Sequence, residues 1–256
     1  MAQSFGSDPE RYDRARPSYP AALVERVITA SPGRGVLDVG CGTGIVARQF
    51  QAAGCSVLGV EPDARMAGQA RQRGLEVEVA LFEDWDPAGR AFDAVVAGQA
   101  WHWIDPVAGA AKAARALRAC GRLAVFWNAF QPPPDLAEAF GAVFRQALPD
   151  SPLSRRPAPG AAMYAGICAK AADAIREIGA FGDPEHWEFE WDRPYTRDEW
   201  LEQVPTSGLA ARIQPGTMRQ ILAGVGAAID AAGGSFTAHY TTVAVTAART
   251  GAADPA

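Results

Sequence analysis

Val36-Leu37-Asp38-Val39-Gly40-Cys41-Gly42-Thr43-Gly44 is the stretch whose reading decides the fold. Val36, Leu37 and Val39 form a short apolar run, the pattern of a strand covered on both faces. Three glycines in five positions then make a turn that admits positive φ and close approach of a ligand to the backbone. From Ile45 the period becomes helical: Ile45, Val46, Phe50 and Ala53 share a face, and Gly54 is placed to end the helix. A group held at this turn meets backbone N–H groups at a helix N-terminus. The spacing is G-x-G-x-G, with Ile45 where a dinucleotide fingerprint, G-x-G-x-x-G, needs its third glycine.

Downstream, strands and helices alternate. Ser56 to Val60 is a second buried strand ending in Glu61, and Asp63 is the expected N-cap of the next helix. Leu75–Ala80 alternates apolar and charged residues and delivers Leu81-Phe82-Glu83-Asp84-Trp85. Phe92–Ala97 is a fourth strand, followed by Gln99-Ala100-Trp101-His102-Trp103. A helix over Pro106–Ala119 and a strand over Gly121–Trp127 complete this half. Such alternation predicts an α/β fold with a parallel sheet and right-handed crossovers that put helices on both faces.

The rhythm then changes. Pro132-Pro133-Pro134 is a rigid connector, and Asp135 is placed to cap a helix over Leu136–Leu148. A loop over Pro149–Gly160 carries Arg155 and Arg156, and a helix is expected over Ala161–Ile178. Strand character returns at His186–Trp191, Thr196-Arg197-Asp198-Glu199 is a capping box, and a last helix spans Pro215–Ala231 before Gly233-Gly234. The last strand is placed at Phe236–Val245, and Thr250–Ala256 reads as a loose tail. Three units follow: a core over 1–130, a helical cap insertion over 131–183, and a remainder over 184–256 that completes the core. At the start, residues through Gly6 read as a polar tail. The two prolines of Tyr12-Asp13-Arg14-Ala15-Arg16-Pro17-Ser18-Tyr19-Pro20 forbid a regular helix across that stretch, and a helix follows with Leu23, Val24, Val27 and Ile28 on one face.

Composition narrows the function classes. Of 256 residues, 48% are hydrophobic, enough for a sizeable core, and the 21% charged content argues against global disorder. A net charge of -5 gives no general attraction to phosphate backbones, so nucleic acid is not an expected partner. No apolar run is long enough for a bilayer, so no membrane partner is expected. The four cysteines form no C-x-x-C pair and read as small apolar residues of a reducing cytoplasm. No metal-ligand spacing stands out.

Four segments occur together: Arg16-Pro17-Ser18-Tyr19-Pro20, Val36–Gly44, Val60-Glu61-Pro62-Asp63 and Gln99-Ala100-Trp101-His102-Trp103. This set resembles the class I S-adenosylmethionine-dependent methyltransferases. Within them it is most similar to the bacterial and fungal small-molecule group around trans-aconitate methyltransferase (type 11-like). The resemblance covers Tyr12–Trp127 well and the later segments loosely. It implies a doubly wound, mostly parallel seven-stranded Rossmann-like sheet. It also implies that Asp38, Gly40, Gly42, Glu61, Pro62, Met66, Phe82, Glu83 and Gln99 line the cofactor, which leaves as S-adenosylhomocysteine.

Roles follow from residue chemistry. Glu61 ends the second strand, where a carboxylate accepts from both ribose hydroxyls. By the resemblance the Leu81–Trp85 segment borders the adenine, where either Glu83 or Asp84 accepts from its amine, with Glu83 favoured; Met66 either lies on adenine or fills the core. Tyr12 and Arg16 are candidates for the cofactor's carboxylate, since arginine grips carboxylates in a bidentate fork; the alternative is a surface arginine beside tyrosines that close a lid. Trp101, Trp103 and Trp127, with Trp85, suggest a flat or apolar methyl acceptor. His102 is the candidate base if that acceptor is a phenol; a carboxylate acceptor needs none. The expected activity is methylation of a small organic molecule, at oxygen, by a monomer or homodimer. Its rivals are a non-methylating cyclisation or rearrangement on the same fold, and a cofactor-sensing module.

Overall fold

The computed structural model describes residues 8–149, 160–207 and 213–251. The expected polar tail through Gly6, Arg155 and Arg156, and residues 252–256 of the expected C-terminal tail lie outside them. One seven-stranded sheet runs through the chain: β1 (Gly35–Val39), β2 (Ser56–Val60), β3 (Glu76–Glu78), β4 (Phe92–Gly98), β5 (Leu117–Gln131), β6 (Glu185–Thr196) and β7 (Ser235–Ala248), in the order β3-β2-β1-β4-β5-β7-β6. Only β7 runs against its neighbours. The expected doubly wound, mostly parallel sheet is therefore the fold.

The helices are α1 (Pro9–Ala15), α2 (Ala21–Thr29), α3 (Ile45–Ala52), α4 (Ala64–Gln72), α5 (Pro106–Ala116), α6 (Pro134–Ala147), α7 (Ala165–Ile178), α8 (Arg197–Gln203) and α9 (Pro215–Ala231). Alternation along the strands sends side chains to two cores. Leu37, Val39, Val95, Leu123 and Val125 face α5 and α7, whereas Val36, Val57, Ala94, Val96 and Phe126 face α2, α3 and α4. The chain winds outward from β1 through β2 to β3, then returns to place β4 on the other side of β1. That reversal opens a crevice at the C-terminal ends of β1 and β4, where open α/β sheets hold ligands.

Three strands are longer than the parallel core requires. β4 ends where Gly98 pairs with Phe126, but β5 continues to Gln131, paired only with β7. The overhanging ends of β5, β7 and β6 carry a third core in which Leu136 and Phe140 of α6, Trp200 of α8 and Ile221, Val225 and Ile229 of α9 enclose Tyr195, Phe236 and Tyr240. The segment 131–183, expected as a cap, thus divides by packing. Its α6 rests on this platform, while Cys168, Ala171 and Ile175 of α7 belong to the main sheet core beside α5.

Several boundaries differ from expectation. Strand five begins at Leu117, so the preceding helix stops at Ala116 rather than Ala119; Cys120, at φ 62°, marks the irregular edge where pairing with β4 shifts. Asp135 lies inside the first turn of α6, and Pro133 holds the N-cap position without a side-chain cap. Helix α1 was not expected; it ends at Ala15 because Arg16 is already extended ahead of Pro17. Its polar faces reach both sides of the crevice. Arg14 pairs with Glu202 of α8 at 2.7 Å, and Asp13 takes Arg48 of α3 at 2.7 Å and Arg73, just after α4, at 3.3 Å.

At the end of β4 the packing leaves no room for a methyl group. A Cβ on Gly98 would lie 2.6 Å from Val46 Cγ2, 2.8 Å from the Tyr19 hydroxyl and 2.9 Å from the Phe126 ring. We expect Gly98→Ala to cost roughly 1–3 kcal/mol, in the range of overpacked cores, and to lower Tm by several degrees. Thermal unfolding followed by circular dichroism checks this; an unchanged Tm would mean that the three neighbours give way freely.

Candidate functional site

The site grows from the turn after β1. Gly40, Gly42 and Gly44 have φ of 64°, 56° and 84°, a left-handed series that side chains with a Cβ resist. At Gly40 space is also limiting, since a Cβ would stand 2.5 Å from that of Ala100. Glu61, one residue past β2, fixes the turn from the side: one carboxylate oxygen accepts from the Gly42 N–H at 2.9 Å and the other from the Asp63 N–H at 2.9 Å. Burial raises the Glu61 pKa, and the two N–H bonds partly offset that. Asp63 caps α4 as expected, and it holds the Arg65 guanidinium as well.

Asp38 is the anomaly. It is 1% exposed, and neither carboxylate oxygen has a partner in hydrogen-bond geometry. Burial, with a smaller push from Glu61 and partial relief from the Ala47 N–H, lifts its pKa to about 8. Two further buried polar atoms near it lack partners, Arg16 Nε and Thr43 Oγ1. Arg16 is otherwise tied down, with Nη2 donating to the Thr206 carbonyl at 2.6 Å and its guanidinium over the Tyr12 ring at 5.2 Å. Buried polar groups are nearly always satisfied, so three orphans lining one cleft argue for a ligand that bears both charges.

Two adjoining clefts share Tyr12, Gly40, Gly42, Gly98 and Gln99 as common wall. The first adds Arg16, Asp38, Thr43 and Asn128; the second adds Glu61, Pro62, Met66, Phe82, Glu83 and Trp103. Every expected cofactor residue therefore lines one cleft or the other, and Asp84 lines neither. Glu83 also accepts from the Asp105 N–H at 3.3 Å. Gln99 sits at the junction in a left-handed conformation, φ 55°, unusual for a residue with a Cβ. Its amide bonds the Asn128 carbonyl at 3.2 Å and the Tyr164 hydroxyl at 3.3 Å.

The expected aromatic wall divides. Trp103 is 44% exposed and lines the second cleft. Trp101 and Trp127 are buried and line neither cleft: Trp101 packs over Gly109, and Trp127 donates from Nε1 to His102 Nδ1 at 3.1 Å and stacks on Tyr164. Trp85 is buried too, donating to Glu78. Tryptophans that fill the core explain all three. Sequence reasoning passed over Thr43, Tyr19, Asn128 and Tyr164. The first two lie inside quoted motifs, and Asn128 follows the apolar run of β5, where a polar residue at a strand end is a usable signal. Tyr164 carries no such signal.

Similarity agrees with the geometry. A family model described as a methyltransferase domain matches residues 12–150. An uncharacterised methyltransferase of Mycobacterium tuberculosis is 39% identical over 131 residues, 50% of this chain and 53% of its own length. Nocamycin O-methyltransferase of Saccharothrix syringae is 36% identical over 173 residues, 60% of this chain and 61% of its own. The chain thus spans about half the length of the first of these curated relatives. Neither name mentions trans-aconitate. Among solved structures, one described as a type II methyltransferase from Anaeromyxobacter dehalogenans aligns with TM-score 0.64 at 22% identity, over 90% of this chain and 97% of that one. A phosphoethanolamine N-methyltransferase of Haemonchus contortus, solved with S-adenosylhomocysteine, aligns with TM-score 0.51 at 16% identity, over 90% and 52%. The orphaned polar atoms fit the charges of that cofactor class, and the family match covers the turn, the acid after β2 and the segment after β4 that together line the clefts: this chain belongs to the class I S-adenosylmethionine-dependent methyltransferases.

Proposed function

We propose that the chain methylates a small organic molecule at oxygen, using S-adenosylmethionine held across the two clefts. The observation that carries this reading is Asp38, a buried carboxylate without a partner beside an arginine and a threonine in the same state. Asp38 would hold the α-ammonium group, Arg16 and Thr43 the carboxylate, and Glu61 the ribose hydroxyls. Met66, Phe82 and Glu83 would enclose the adenine. When bound, this cofactor supplies a methyl group made electrophilic by its sulfonium.

The chain's own contribution is placement. Glycines 40 and 42 let the backbone approach closely, Gln99 marks the junction of the clefts, and α1 ties the two sides of the crevice together through Asp13 and Arg14. Holding two reactants in line can be worth about 7–11 kcal/mol in favourable cases. An aromatic or apolar acceptor is favoured by Trp103 and Leu81, two large apolar side chains that are exposed and line the second cleft. The O-methyltransferase relative supports oxygen as the target. Among those residues no helix is long and apolar enough to cross a membrane, and no acidic, cysteine or histidine cluster is suited to a metal. We place neither nucleic acid nor membrane among its partners, and we take the protein to be a cytoplasmic monomer or homodimer.

Titration calorimetry with S-adenosylhomocysteine tests the cofactor half directly. Glu61→Ala is expected to weaken binding roughly 10- to 100-fold, since hydrogen bonds to a charged group are worth about 1.5–3 kcal/mol. Unaltered affinity would remove Glu61 from the ribose role. Incubation with S-adenosylmethionine and candidate acceptors, read by mass spectrometry, tests the transfer: an oxygen-linked gain of one methyl group supports it, and product without that gain sinks it.

The raised pKa of Asp38 yields a signed prediction. The folded apoprotein holds this carboxyl protonated up to about pH 8, whereas the unfolded chain releases the proton near its ordinary value. Folded-state proton binding therefore exceeds that of the unfolded state in between, and stability contributed by this group falls as pH rises through that window. Asp38→Asn should raise the Tm of the ligand-free protein at pH 8 while weakening cofactor binding. Wild-type binding at pH 7 should release a proton, visible as a dependence of calorimetric heat on buffer ionisation enthalpy. No Tm gain and no proton release would mean that Asp38 is paired in solution.

A further inference from the structure

His102 lies in the 3-10 turn Trp101–Trp103 just beyond β4, its ring 4.7 Å from that of Trp103. Its Nδ1 is 3.1 Å from Nε1 of Trp127 on β5. An indole N–H only donates, so Nδ1 must accept, and the proton of the neutral imidazole then resides on Nε2. His102 is exposed, and among the described residues Nε2 meets no protein acceptor. Trp127 cannot turn to another partner, because it is fully buried and its ring stacks on Tyr164 at 6.0 Å. The groups set against His102 are therefore an indole from β5 and an indole from its own turn. Behind Trp127 stands the Tyr164 phenol, which burial keeps protonated. Partial burial lowers the His102 pKa, and no charged group contributes to that shift.

We propose that Trp127 locks His102 as a neutral Nε2–H tautomer and so withdraws it as a general base; His102 itself lines neither cleft and adjoins the second through Trp103. This rests on the methyltransferase reading of the same site. To take a proton, His102 would have to use Nδ1, and an Nδ1–H would point at the Trp127 N–H, donor against donor. Acceptors that need no base, such as a carboxylic acid already ionised at neutral pH, are unaffected by this lock, whereas an ordinary phenol would need a base other than His102. The hydrogen of His102 is thus set by a residue buried behind it.

The chain has three histidines, so 15N-histidine labelling of the whole protein gives a resolvable spectrum. Long-range 1H–15N correlation between pH 5.5 and 8, assigned by loss of one signal set in His102→Gln, is expected to show His102 with a bare Nδ1 and a protonated Nε2, titrating below the ordinary histidine range. A proton on Nδ1, or a pKa at or above that range, overturns the proposal. In Trp127→Phe the tautomers should mix and the pKa should rise; if that variant does not fold, the wild-type spectrum still decides. A folded Trp127→Phe with unchanged tautomer and pKa overturns the lock. S-adenosylhomocysteine titrated into the same wild-type sample reports separately on the family reading, so absent binding would sink that reading while leaving the tautomer result standing.

Discussion

Glu61 grips two backbone N–H groups at once, that of Gly42 in the turn after β1 and that of Asp63 at the start of α4. This double grip is the constraint on which the site depends. It joins the ends of two adjacent strands through one buried carboxylate, and it holds the glycine turn open in a left-handed path that the chain would otherwise have little reason to keep. A carboxylate has about four lone-pair positions, so two remain for a ligand without breaking either bond. The same group therefore shapes the apoprotein and keeps acceptor positions free. Asp63 extends the arrangement by capping α4, whose Met66 then faces the second cleft.

Asp38 shows the opposite strategy. Where Glu61 is satisfied by two N–H bonds, Asp38 is buried with only partial relief from the Ala47 N–H, and burial raises its pKa. Desolvated groups of this kind repay their cost only when a cation arrives. Protonation at neutral pH softens the penalty, so the ligand-free site holds a carboxylic acid. Stability and affinity are thus set against each other at a single side chain, as is common where a fold keeps an unpaired polar group in reserve.

The parallel half of the sheet was legible because its determinants are local. Apolar runs of five to seven residues, glycine turns and capping acids fall in order along the chain, and β1, β2 and β4, the turn and the Asp63 cap lie where the sequence puts them. The helix over Pro215–Ala231 was read to the residue for the same reason, bounded by a proline and a pair of glycines. What escaped depends on partners distant in sequence. Helix α1 is marginal alone at seven residues and is held by contacts to Arg48, Arg73 and Glu202. The overhang of β5 past Phe126 exists only because β7 pairs with it more than a hundred residues later. Trp127 and Trp101 read as site residues because aromatic character does not say which face of a strand or turn points inward.

That division has a physical consequence for how the site is assembled. The two clefts are lined by residues from one continuous portion of the chain, Tyr12 to Asn128, many of them just past the ends of parallel strands. The far side is different: Arg16 is fastened to the Thr206 carbonyl, Arg11 to the carbonyls of Leu201 and Glu202, and Gln99 to Tyr164, all from the later half of the chain. Beneath them, Tyr195, Tyr240 and Gln203 share buried hydrogen bonds that stiffen the platform carrying α8. Any displacement of that platform by an acceptor would be felt by α1 and Arg16 through these bonds before it reached the glycine turn. Among the described residues the glycine turn is linked to the later half only indirectly, from the Thr43 carbonyl through Arg48 to Asp13 of α1 and from α1 through Arg14 to Glu202. Arg16 and Gln99 are cleft-lining residues whose positions the later half of the chain helps to decide.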